Sequence, residues 1–147
     1  MAHLAQGVVK SADDKNLILQ IPGTSYELHL ALAGASTLKV GETVRGVIRA
    51  RARKVWTMAA GGNFIQPLFG QPRVVQGRVM AILGTTLTVQ AGTTFEMELP
   101  ADQSALDLKN GQLVPGAMVN ITLFPDASFS PASAVDSQTV VRRDMPQ

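Results

Sequence analysis

The chain has 147 residues, 46% of them hydrophobic, no cysteine and a net charge of +2. That length holds one ordinary domain or two very small ones, and that apolar content belongs to a folded chain. The missing cysteines exclude a disulfide framework and thiolate–zinc sites, and the two histidines, His3 and His29, stand far apart in sequence. The opening MAHLAQGVVK lacks the charged start and apolar run of a secretory signal. No stretch approaches the roughly 18–20 apolar residues of a membrane helix. The expectation is a cytoplasmic protein with no membrane, metal or cofactor partner.

Taken in chain order, the sequence reads as strands that recur. Gln6-Gly7-Val8-Val9 matches Gln76-Gly77-Arg78-Val79, and Leu17-Ile18-Leu19-Gln20 matches Leu87-Thr88-Val89-Gln90 at the same offset of 70. Gly23 to Leu30 then matches Gly92 to Leu99, and Leu38-Lys39-Val40-Gly41 meets Leu113-Val114-Pro115-Gly116, with Val44 opposite Val119. Four blocks in one order point to an internal duplication. Each block alternates with period two, the signature of a half-buried strand. Tyr26, Leu28 and Leu30 point one way, as do Phe95, Met97 and Leu99, while Glu27, Glu96 and Glu98 point the other. Asp13-Asp14, Gly84, Pro22-Gly23 and Ala91-Gly92 sit where turns belong. Short helical turns are expected over Ala33 to Lys39 and, slightly longer, over Asp102 to Lys109.

The order strand, strand, strand, short helix, strand resembles an OB-like barrel. The expected fold is therefore all-β: two tandem OB-like small β-barrel modules with short helical connections. The first module spans 1–60, a Gly/Pro-rich linker 61–73, the second module 74–124 and a C-terminal tail 125–147. A lone module of that size buries little, so the copies are expected to pack together. The spacing also resembles the tandem molybdate-binding modules of bacteria, which implies small-oxyanion binding; the Ser-Ala-Arg-Asn start of that family is missing from both copies. The segment Gly61-Gly62-Asn63-Phe64-Ile65-Gln66-Pro67-Leu68-Phe69-Gly70-Gln71-Pro72-Arg73 is similar to a stretch in a family of bacterial tandem OB-like β-barrel proteins, a likeness that brings no assigned activity.

Charge is unevenly spread. From Thr43 to Phe95 there are seven basic residues and no acidic one, against six basic and eleven acidic in the rest. Four of them alternate with small apolar residues: Val44, Gly46, Ile48, Ala50 and Ala52 form one face, and Arg45, Val47, Arg49, Arg51 and Arg53 the other. Side chains on one strand face repeat about every 6.5–7 Å, comparable to phosphates along a nucleic-acid strand. Trp56, Phe64 and Phe69 follow as candidate stacking residues, and Arg73 and Arg78 as further phosphate contacts. Arginines with aromatics on such a sheet are how sequence-tolerant single-strand binders work. The plainer reading is a solvated strand face, with the aromatics packing between barrels.

No G-x-S-x-G elbow, P-loop, G-x-G-x-x-G or H-E-x-x-H occurs, and Glu27, Glu96, Asp13 and Asp14 read as solvated strand and turn residues. The first function expected is non-catalytic binding of single-stranded nucleic acid or another polyanion through Arg45, Arg49, Arg51, Arg53, Arg73 and Arg78. The alternative is a self-assembling structural protein, with Thr139-Val140-Val141 of the tail adding to a sheet edge. The third is an oxyanion store of the molybdate type.

Overall fold

A computed structural model describes residues 4–32 and 38–132. Among the described residues twelve strands run in order: β1 (Ala5–Ala12), β2 (Asn16–Gln20), β3 (Glu27–Leu32), β4 (Thr43–Met58), β5 (Phe64–Gln66), β6 (Phe69–Gly70), β7 (Val74–Leu83), β8 (Thr86–Ala91), β9 (Thr93–Glu98), β10 (Leu106–Asp107), β11 (Met118–Leu123) and β12 (Ser128–Pro131). They join in one mixed sheet. The alternation that marks each strand in the sequence is the alternation of burial: Leu17, Leu19, Leu28, Leu30, Leu87, Val89, Phe95 and Met97 all lie in the core. Tyr26 and Leu99 stop at its rim, half-buried.

The halves repeat each other's geometry. β1, β2 and β3 form an antiparallel meander, and so do β7, β8 and β9. The ladder slips between Val9 and Ser11 in one and between Val79 and Ala81 in the other, again 70 residues apart. Gly41 donates its N–H to the Val9 carbonyl, and Gly116 to the Val79 carbonyl, both at 2.7 Å. Gly77 has no room for a side chain: a Cβ there would overlap the Gln90 carbonyl and stand 2.9 Å from the Ala91 Cβ.

Each meander closes through a strand taken from the other half. In the first circuit β4 returns against β1, and the place between β3 and β4 is filled by β12, parallel to β3 and antiparallel to β4. In the second, β11 returns against β7, and the place between β9 and β11 is filled by the later part of β4, parallel to β9 and antiparallel to β11. β4 thus belongs to both circuits. Its buried face is narrow because it is crowded: Val44, Gly46, Ile48, Ala50 and Ala52 are all buried.

Three expectations change in detail. Among the described residues the helical connection over Asp102 to Lys109 is only a 3₁₀ turn, Gln103–Ala105. The Asp102 carboxylate caps it by accepting from the Ser104 N–H at 2.9 Å, a bond that with the Ser104 hydroxyl lowers the Asp102 pKa. A longer helix loses because Leu106 and Asp107 pair instead with Val55 and Trp56 of β4. The segment 61–73 carries β5 and β6, and β12 lies inside the stretch read as tail. The turn expected over Ala33 to Lys39 falls, apart from its last two residues, outside the described residues, as does Thr139-Val140-Val141. Among the described residues no helix is long and apolar enough to cross a membrane.

Two glycine variants separate crowding from simple loss of a glycine. Gly77→Ala is expected to lower the unfolding free energy by about 1–3 kcal/mol through overpacking. Gly62→Ala, where a Cβ meets nothing within 4 Å, is expected to stay within about 0.5 kcal/mol. Urea denaturation of the two variants checks this.

Candidate nucleic-acid interface

All six arginines singled out in the sequence are exposed, yet the fold uses some of them. β9 runs beside β4 with Arg49 opposite Glu96 and Arg51 opposite Glu98. Arg49 pairs with Glu96 at 3.5 Å and donates to the Ser130 hydroxyl at 3.1 Å. The Arg51 Nε donates to the Asp126 carboxylate at 2.6 Å, and its guanidinium carbon stands 4.6 Å from the centre of the Phe124 ring. These acids lie outside the acid-free window from Thr43 to Phe95, so the basic surface implied by that window is partly neutralised on folding. Arg78 donates to the Gly116 carbonyl at 2.9 Å. Arg45, Arg53 and Arg73 make no ion pair among the described residues.

The aromatics divide. Residues directly opposite in neighbouring strands share a sheet face. Phe64 of β5 stands opposite Gln76 of β7, Gln76 opposite Asn120 of β11, and Asn120 opposite Trp56 of β4. The next row is Gln66, Val74, Thr122 and Lys54. The opposite face of the same strands carries Val55, Ile121, Val75 and Ile65, each no more than 2% exposed, so the Trp56 and Phe64 face is the outer one. The two rings stand three strand spacings apart, roughly 14 Å. Lys54 caps the Trp56 ring, its Nζ 4.9 Å from the centroid. Gln76 is buried and donates to the Gly62 carbonyl at 2.9 Å, which pins the β4–β5 connection over the middle of the row. Asp107 lies beyond Trp56 on β10, its carboxylate accepting from the Lys109 N–H at 3.2 Å.

A groove of about 770 Å³ continues this face, lined by Tyr26, Phe64, Gln66, Pro67, Leu68 and Arg73 among others. Tyr26 is fixed there because its hydroxyl accepts from the Ile65 N–H at 3.0 Å. Phe64 and Arg73, an aromatic and a cation chosen separately from the sequence, therefore meet in one place. Phe69 does not join them: β6 lies along β3, and the Phe69 ring meets His29 edge to face at 4.5 Å. Sequence reasoning missed Tyr26, Lys54 and Asn120, which reach this face through pairings between distant segments. Alternation around Ile121 was the one available sign that Asn120 and Thr122 point outward.

No group of three or more His, Asp or Glu gathers as a metal site among the described residues. No protein-family model, curated protein or solved structure matches this chain.

The Arg51–Asp126 pair is about half exposed on both sides. Such pairs contribute little in water. A double-mutant cycle on Arg51→Ala and Asp126→Ala, read by denaturation, is expected to give a coupling of at most about 1 kcal/mol.

Proposed function

We propose that the chain is a non-catalytic, cytoplasmic binding protein for single-stranded nucleic acid, and that its two circuits are duplicated OB-like modules. The observation that carries the proposal is the outer face of β5, β7, β11 and β4, where Phe64 and Trp56 share a row and Lys54 and Arg73 flank it. An aromatic ring offers any base a stacking surface, and the cations meet the backbone that links successive bases. The equal slips and equal glycine contacts of the halves support the duplication. In this proposal the basic contacts are Lys54, Arg53 and Arg73, with Arg45 and Arg78 at the margins. Arg49 and Arg51 are occupied in holding β12.

Trp56 is the single tryptophan of the chain, so its fluorescence reports on the face directly. Titration with single-stranded DNA or RNA of about 15 nucleotides, within the range OB folds cover, is expected to quench it. With three or four phosphates engaged, affinity should fall roughly 20- to 50-fold between about 50 and 200 mM salt. Phe64→Ala is expected to weaken binding roughly 5- to 150-fold, the loss of about 1–3 kcal/mol for one stacked base. Phe69→Ala should leave it unchanged. No quenching at about 50 mM salt, or equal losses in both variants, would contradict the proposal. Binding of heparin with the same affinity as the oligonucleotide, and no quenching by it, would point to a general polyanion site.

A further inference from the structure

The edge of β3 that faces away from β2 is covered by two short strands, both parallel to it. β6 pairs with Glu27 and Leu28, and β12 pairs with Ala31 and Leu32. His29 and Leu30 fall between the two partners. By contrast, the edge of β9 beside β4 is paired without interruption from Phe95 to Glu98. At the break in the β3 edge lies a pocket of about 450 Å³, a volume within the range of small-molecule sites. Gln71, just after β6, and Pro125, Asp126 and Ala127, just before β12, form its sides.

His29 lines this pocket, and its Nε2 atom is buried with no hydrogen-bond partner among the described residues. A buried polar atom without a partner is costly, and native folds rarely leave one. Phe69, whose ring meets that of His29, supplies neither a donor nor a strong acceptor. Two carboxylates line the same pocket. Asp13 accepts the Lys15 and Asn16 N–H groups, each at 2.8 Å, through Oδ1 alone, and these bonds lower its pKa. Asp126 accepts from Arg51 through Oδ2. Each carboxylate thus keeps a second oxygen without a hydrogen bond among the described residues. None of the described residues that line the pocket is a lysine or an arginine, so its chemistry disfavours an anion.

We propose that the pocket at the break in the β3 edge binds a primary alkylammonium ion. Such an ion carries three N–H donors and no acceptor. Asp13 Oδ2, Asp126 Oδ1 and His29 Nε2 are three acceptors in want of donors. His29 takes part as the neutral imidazole with its proton on Nδ1, the form in which Nε2 accepts. Ile18, Leu30 and Pro125 on the pocket wall give the alkyl stem an apolar surface.

The test is NMR of the histidine side chains with calorimetry, using n-butylammonium as the probe. One ion per chain is expected to bind with a Kd on the order of millimolar, the range open to a ligand of so few atoms. It should shift the ring nitrogens of His29 and leave those of His3, the other histidine, in place. n-Butanol has no charge and tetramethylammonium has no N–H, so neither should shift His29 at the same concentration. Asp13→Asn keeps an oxygen for the β1–β2 turn but removes the charge, and should weaken binding roughly 10-fold or more. His29→Leu removes the unpaired nitrogen, so it should fold at least as stably in urea and show no heat with the probe. An unshifted His29, an equal shift with tetramethylammonium, or undiminished binding in either variant would overturn the proposal.

Discussion

The structure depends on the need of one long strand to satisfy its backbone on both edges. A buried N–H or carbonyl left without a partner is costly, and β4 offers sixteen residues of them. One edge is taken in turn by β1, β9 and β10, the other by β12 and β11. No single half of the chain supplies those partners. The first half leaves an edge of β3 that β6 and β12 fill, and the second leaves a place beside β9 that β4 fills. The two halves, each too short to bury much surface alone, thereby gain a shared core that runs from Ile48 through Val55 to Phe129.

The same arrangement decides which arginines are held within the fold. Those at the crossing of the exchanged strands, Arg49 and Arg51, meet Glu96, Ser130 and Asp126 because β9 and β12 flank β4 at that level. Asp126 stands 75 residues after Arg51, so this pair joins distant segments of the chain. Past the crossing, the register on β11 slips between Thr122 and Leu123, and Arg53 and Lys54 are both exposed in consequence. The slip turns Lys54 and Trp56 onto the outer face with Asn120. The basic strand is therefore two surfaces, one structural and one open.

Much of this was legible in the residues. Period-two alternation located the main strands, and the repeated Gln-Gly and Leu-x-x-Gln blocks fall in β1, β2, β7 and β8. Phe64 and Arg73 were chosen from the sequence and line one groove. What the sequence did not disclose was pairing across distance. Alternation says which way Arg49 points but not that Glu96 stands next to it. A four-residue strand such as β12, flanked by prolines and serines, carries too short a pattern to stand out from a tail. The helical turn expected over Asp102 to Lys109 is cut short at Ala105, because a strand partner that no local signal announces takes Leu106 and Asp107. Phe69 was grouped with Trp56 by composition alone, and the chain turns it toward His29 instead.

The exchanged strands make the two halves one unit of stability. Native-state hydrogen exchange followed residue by residue tests it most directly, because it measures the free energy at which each segment opens. The core amides of β2 and β3, of β8 and β9, and of β4 are predicted to share a single highest opening energy and to respond together as denaturant is added. One meander exchanging through a lower-energy opening while the other stays protected would contradict the account.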